Sequence, residues 1–152
     1  MRSILAMGLP VLFSVTGCAM HAAESEAADY CEKRGQLPFV LAAHASLNPI
    51  HQSASVTARC VDPRDLVRST AAFGVAMADF ADLEGVAIVT VAPGSIADKA
   101  DIKPGDLVLE YGGREMTRAS ELAAAITASQ AAAPVPIKLL RNKKELGVTA
   151  RF

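Results

Sequence analysis

The stretch from Ala92 to Met116, APGSIADKADIKPGDLVLEYGGREM, breaks regular structure at closely spaced positions. Pro93-Gly94 ends a strand, because proline lacks an N–H donor and glycine permits positive φ. Ser95 and Asp98 have the spacing of a capping box, which predicts the start of a short helix. Asp101 stands where that helix would need a left-handed residue, a conformation that aspartate tolerates better than most residues.

The second half of the same stretch predicts a reversal and a hairpin. After the apolar Ile102, which we expect in the core, Pro104-Gly105-Asp106 turns the chain into the strand Leu107-Val108-Leu109. Gly112-Gly113 then permits a tight hairpin turn. The stretch therefore predicts a strand, a short helix, a turn and a hairpin in that order.

The flanking sequence predicts further strands and one longer helix. Val75–Ala78 and Val86–Val91 are apolar runs of strand length, and alternation from Leu146 to Phe152 indicates a half-buried final strand. Ile137–Leu140 is the preceding strand of that hairpin. The helix is predicted over Ala119–Ser129.

These motifs resemble a PDZ domain of the bacterial periplasmic (HtrA/Deg-like) type over residues 71–152. The resemblance implies an α+β fold, a partly open antiparallel β-barrel or sandwich capped by two helices. In the family, an X-Φ-G-Φ loop holds a ligand's terminal carboxylate through backbone N–H groups, and Ala72-Phe73-Gly74-Val75 occupies that place. The sequence departs from the family at Asp101, where glycine is usual.

The resemblance also implies how a peptide would bind. The ligand would add as a strand to the edge of Val75–Ala78, which we expect to be unpaired in the free protein. Alanine at 119, where many animal PDZ domains have histidine, implies a preference for apolar C-termini. Whether residues before Ala71 cover the groove is left open by the sequence. The peptide-binding residues implied are Ala72, Phe73, Gly74, Val75, Ala76, Met77, Ala119, Ala123 and Ile126.

The first residues predict a lipoprotein signal. Met1-Arg2 supplies a positive charge, and Ile4–Val15 is mostly apolar but too short to span a membrane. Val15-Thr16-Gly17-Cys18 resembles the bacterial lipobox, which implies cleavage after residue 17 and lipidation of Cys18. An ordinary cleaved signal with an incidental cysteine is the alternative. Because Ala19 follows, we expect a periplasm-facing protein anchored to the outer membrane.

Residues between the signal and the predicted PDZ domain at 70–152 divide into a tether and a small module. Residues 18–29 lack an apolar face, which favours a tether. Residues 30–69 are expected to form the small module. Cys31 and Cys60 are expected to pair in an oxidising compartment, the alternative being two buried thiols. We favour a hairpin from Phe39 to Val61, with a short helix at Val40–Leu47 as its competitor.

Composition and motifs exclude several function classes. A formal net charge of −1 and an aromatic fraction of 5% argue against nucleic-acid binding. His44 and His51 do not have the spacing of metal ligands. Gly94-Ser95 is the one pair that suggests a serine nucleophile, but the turn at Gly94 and the helix cap at Ser95 already account for both residues. We therefore expect a non-enzyme without metal or cofactor. The leading prediction is an adaptor for segments of envelope proteins; the alternatives are a structural subunit of an envelope or secretion assembly, or an accessory to a separate periplasmic protease.

Overall fold

The structure is a computed structural model that describes residues 11–16, 20–47, 52–129 and 133–152. The chain divides into two compact units, Met1–Arg64 and Asp65–Phe152. The predicted lipidation site, Cys18, lies outside the described residues. None of the helices in the described part is both long and apolar enough to cross a membrane.

The first unit is a helix with a three-stranded antiparallel sheet, in the order β1-β3-β2. Residues 39–47 and 52–61 pair as antiparallel strands, as in the hairpin that the sequence favours, and Val40–Leu47 is strand where the competing prediction has a helix. Its inner side includes Phe39, Val56 and Ala58, all fully buried. The elements are β1 (Val11–Thr16), α1 (Met20–Glu32), β2 (Leu37–Leu47) and β3 (Gln52–Val61).

Residues 18–29 were expected to form a tether, but in the structure most of them belong to α1. Ala27 and Cys31 are fully buried at a spacing of four residues, so they lie on one face of the helix and pack it against the sheet. Cys31 forms a disulfide with Cys60 across a Cα–Cα distance of 5.3 Å. The disulfide predicted from the sequence is thus present, and it joins α1 to β3.

The first strand lies inside the predicted signal peptide. In the full chain, β1 pairs antiparallel with residues 53–58 of β3. The predicted cleavage after residue 17 stays a prediction, and it would remove this strand.

The second unit confirms the predicted α+β fold with antiparallel, unclosed sheet structure. Its strands lie in the order β10-β9-β7-β6-β5-β4, with β8 paired to β7. A 3₁₀ turn at Pro63–Asp65 precedes its first strand. The elements are β4 (Val67–Arg68), β5 (Val75–Ala78), β6 (Val86–Val91), α2 (Ile96–Lys99), β7 (Leu107–Tyr111), β8 (Arg114–Glu115), α3 (Ala119–Ala128), β9 (Val135–Arg141) and β10 (Lys144–Ala150).

The helix cap, the left-handed residue and the hairpin turn of the second unit lie at the residues where the sequence predicts them. The Ser95 side chain accepts the Asp98 N–H at 3.2 Å and caps α2. Asp101 has a φ of 63°, and Ile102 is buried in the core. Both glycines of the β7–β8 turn have positive φ, 59° and 78°, as a tight hairpin requires.

A buried ion pair joins the turn before β7 to the end of β9. Asp106 is 1% exposed, and Arg141 donates to both its carboxylate oxygens at 2.7 Å. The Lys103 N–H also donates to Asp106 at 2.8 Å. The hydrogen bond to Asp106 is the main reason that the pKa of Arg141 is raised, so its charge is permanent. This pair therefore holds the Pro-Gly-Asp turn against the sheet.

Candidate peptide-binding groove

The loop at residues 72–75 is held so that its carbonyl groups and its N–H groups face opposite ways. The carbonyl oxygens of Ala72 and Phe73 accept N–H groups from the first turn of α2, at 3.0 and 3.1 Å. The Gly74 carbonyl accepts the Ala92 N–H at 2.7 Å. All three carbonyl groups are therefore committed to hydrogen bonds with α2 and with the residue that follows β6.

Three N–H groups of this loop already have acceptors within the chain. The Gly74 N–H donates to the Thr70 carbonyl at 2.9 Å, and the Val75 N–H donates to the Ser69 hydroxyl at 3.0 Å. The Phe73 N–H reaches the Thr70 hydroxyl at 3.4 Å. Residues 69–70 thus place neutral oxygens where a ligand carboxylate would bind.

The edge of β5 is also paired, which corrects the expectation that it is free. In β4, Val67 lies opposite Met77 and Arg68 opposite Ala76, in antiparallel register. The Ser69 N–H then donates to the Val75 carbonyl at 3.0 Å. The physical reason is proximity, since residues 69–74 form a tight reversal that brings β4 back along β5.

The predicted helical wall is α3, and two of the three side chains expected to face the groove lie buried in the core cluster of the second unit. Ala119 and Ile126 are fully buried, whereas Ala123 is only partly buried against the core cluster. Leu122, on the same helix, is also buried. Because α3 packs near both β4 and β6, β4 occupies the position expected for a ligand strand.

Phe73 anchors the loop through its side chain. It is buried and meets Tyr111 edge to face, with ring centroids 6.4 Å apart. Phe152 stacks on it at 5.7 Å and keeps 36% of its surface exposed. The final residue therefore covers part of the loop's aromatic anchor, although β10 itself ends at Ala150.

Asp79 is a structural residue of the groove that the sequence reasoning missed. Its carboxylate accepts the N–H of Ala119, the first residue of α3, at 2.6 Å. The preceding residue, Arg118, makes no side-chain cap, so Asp79 supplies the missing acceptor. Since Asp79 directly follows β5, this bond fixes one end of α3 to one end of the strand.

An antiparallel strand that follows a glycine-centred loop and lies near a helix is an arrangement found in peptide-binding domains of the PDZ class. Comparison with known families agrees, because a PDZ-domain model matches residues 88–141. The putative serine protease HhoB of Synechocystis sp. (strain ATCC 27184 / PCC 6803 / Kazusa) is 38% identical over 60 residues. That match covers 40% of this chain but 14% of the relative, so the chain corresponds to a small part of that protein.

Two solved structures are similar to the chain. The HtrA3 PDZ domain bound to a phage-derived ligand (FGRWV) superposes with a TM-score of 0.46 at 22% identity, covering 51% of this chain and 80% of that one. The HtrA-type protease AlgW with a decapeptide gives a TM-score of 0.47 at 14% identity, covering 72% of this chain and 40% of that one.

The chain therefore carries a PDZ domain. A PDZ domain is a binding domain, and among the residues that the structure describes no protease domain accompanies it. Peptide binding is the activity that this class of domain supports.

Proposed function

We propose that the protein is a lipid-anchored envelope protein whose PDZ domain binds C-terminal or extended segments of partner proteins by strand addition to β5. The observation that supports this most strongly is the convergence of the Phe73, Gly74 and Val75 N–H groups at the start of that strand. Backbone dipoles so arranged favour a carboxylate without a cationic side chain. A bound segment would replace β4.

The wall of the groove supports a preference for apolar ligands. The residues proposed to contact ligand side chains on α3 are Ala119, Ala123 and Ile126, none of which can donate a side-chain hydrogen bond. Phe73 and Val75 supply the remaining apolar surface near the loop. A ligand ending in an apolar residue fits this lining best.

The proposed location rests on the N-terminal sequence. Cleavage before Cys18 and lipidation of its thiol would anchor the mature chain, and Ala19 favours the outer membrane. The Cys31–Cys60 disulfide is consistent with a periplasmic location, because such bonds persist in oxidising compartments. Replacing Cys18 by serine should move the protein from the membrane fraction to the soluble fraction; unchanged membrane association would contradict the anchor.

Peptide binding can be tested with a pair of variants on α3. Ala123→Lys would place a long charged side chain toward the groove, whereas Ala124→Lys adds the same charge on the exposed side of the same helix. Screened against a C-terminal peptide array, Ala123→Lys should lose the wild-type signals and Ala124→Lys should keep them. Equal binding by both variants would contradict the groove assignment.

The occupied edge of β5 favours a second candidate function, that of a structural subunit of an envelope or secretion assembly. In that case the groove would be unused, and the module at residues 30–69 would make the main contacts. Cross-linking in cells discriminates the two, because a structural subunit keeps its partners in the Ala123→Lys variant. An accessory role for a separate periplasmic protease is the third possibility, and it predicts altered degradation of envelope proteins in a deletion strain.

A further inference from the structure

We propose that β4 is a built-in competitor for the peptide groove, so that ligands bind only by displacing Val67–Thr70 from β5. This inference rests on the proposed peptide-binding function and adds its regulation. It rests on contacts within the second unit alone.

The register shows that β4 imitates a ligand. A strand added antiparallel to β5 with its last residue beside Val75 would place its third residue from the end opposite Met77. In the structure, Ser69 donates its N–H to the Val75 carbonyl, and Val67 lies opposite Met77. Ser69 thus takes the place of a ligand's last residue.

The imitation lacks the two features that a real C-terminus would bring. Residues 69–70 offer neutral oxygens to the loop N–H groups, whereas a carboxylate would make stronger, charge-assisted hydrogen bonds. Ser69 also has a short polar side chain where a ligand can present an apolar one. A peptide with a free carboxylate, an apolar last residue and a β-branched apolar residue two positions earlier should therefore outcompete β4.

β4 is held in a way that permits release. It is a two-residue strand in which Val67 is partly buried against the core and Arg68 is exposed. The exposed 3₁₀ turn Pro63–Asp65 precedes it, and an open cavity of about 550 Å³ lies along Arg68, Ser69 and Thr70. Release therefore breaks the two-residue pairing with β5 and the hydrogen bonds of residues 69–70, but Val67 is the one partly buried apolar side chain of β4 that it would expose.

Tethering nevertheless makes β4 an effective competitor. Because the segment is attached through a tight reversal, its local concentration at the groove is high and does not fall on dilution. The apparent affinity for a peptide is reduced by the fraction of molecules in which the groove is open. Releasing β4 should therefore raise apparent affinity without any new contact to the peptide.

The test uses the full chain carrying Cys18→Ser, which removes the thiol predicted to be lipidated. The probe is the peptide Asp-Leu-Val-Arg-Val, which copies residues 65–68 and ends in valine with a free carboxylate; its amidated form is the control. Val67→Asp should release β4 and tighten binding at least about tenfold. Arg64→Ala, whose side chain is 91% exposed, should bind as the parent protein does.

A cross-link provides the opposite perturbation. Arg68 and Ala76 lie opposite each other next to the hydrogen-bonded Ser69–Val75 pair, so they form a pair without mutual hydrogen bonds. Such residues lie about 4.5 Å apart, within the range that a disulfide spans. The oxidised Arg68→Cys/Ala76→Cys protein should not bind the probe, and mild reduction should restore binding to the level of the parent protein under the same reductant.

Amide hydrogen exchange separates failure of this inference from failure of the proposed function. Without peptide, the Gly74 and Val75 amides should be protected in the parent protein and exchange faster in Val67→Asp, while Ile88 in the core stays protected. Unprotected amides in the parent protein, or equal binding by the parent, Val67→Asp and oxidised cross-linked proteins, would overturn the competitor role alone. If exchange shows β4 released in Val67→Asp and neither it nor the parent binds any free-carboxylate peptide of the array, peptide binding itself is refuted and the competitor role with it.

Discussion

Gly74 should be required for two separable reasons, its backbone conformation and the space beside it. Its φ is +75°, and a Cβ added there would lie 2.5 Å from the Cβ of Ser95 and 3.1 Å from that of Ala92. Gly94 has nearly the same φ, +74°, but an added Cβ would meet nothing within 4 Å. Gly94→Ala is therefore a matched control that measures the conformational cost alone.

The expected magnitudes follow from this geometry. A Cβ in the left-handed region costs about 1 to 2 kcal/mol at either position. Overpacking against the buried Ser95 adds about 1 to 3 kcal/mol at Gly74 only. We expect Gly74→Ala to lower the free energy of unfolding of the second unit by about 2 to 5 kcal/mol, and Gly94→Ala by about 1 to 2 kcal/mol.

The assay is urea unfolding followed by the NMR methyl signals of Ile88 and Leu139, which report on the second unit alone. Ser95→Gly in the Gly74→Ala background should recover part of the loss, because it removes the atoms that the new Cβ meets and costs only a few tenths of a kcal/mol as a helix cap. Equal destabilisation by the two alanine variants, or no recovery in the double variant, would refute the steric explanation.

Three other perturbations test the remaining elements. Asp79→Ala removes the acceptor at the start of α3 and should lower stability by about 0.5 to 2 kcal/mol in the same assay, while Asp79→Asn, which keeps an acceptor, should lose less. Cys31→Ser breaks the bond to Cys60 and should destabilise the first unit by about 3 to 4 kcal/mol, so that proteolysis of that unit accelerates; unchanged proteolysis would argue against a structural disulfide. The hydrogen bond from Arg141 is the main reason that the pKa of Asp101 lies below 3.8. The folded state therefore binds this proton less tightly than the unfolded chain, so the contribution of Asp101 is present above pH 3.8 and disappears as the pH falls through its folded-state pKa. Stability curves of the parent protein and Asp101→Asn should thus converge in acid; a gap independent of pH would count against the ion pair.

Much of the second unit could be predicted because its determinants are local. The Ser95 cap, the left-handed Asp101 and the paired glycines of the β7–β8 turn each follow from the stereochemistry of a few neighbouring residues. Gly74 likewise has the positive φ that an X-Φ-G-Φ loop needs, whereas carboxylate binding by that loop stays a prediction. Such features require no knowledge of what lies elsewhere in the chain.

Features that depend on a distant partner were missed or misjudged. Asp79 caps a helix that begins 40 residues later, and nothing in its local sequence indicates that contact. Residues 18–29 were expected to be a tether because their apolar content is low, yet Ala27 and Cys31 pack α1 against strands further along the chain. Burial by such small side chains depends on the shape of the opposing surface, which composition does not describe.

The sequence alone determined where this chain turns, which residue caps α2 and where a glycine-centred loop precedes β5. Only the tertiary structure decided what the N–H groups of that loop bind, because Val67–Arg68 is too short to be recognised as a strand from sequence and becomes one by pairing with β5. A strand edge is satisfied by whichever segment reaches it in the right register, and that choice depends on the path of the whole chain.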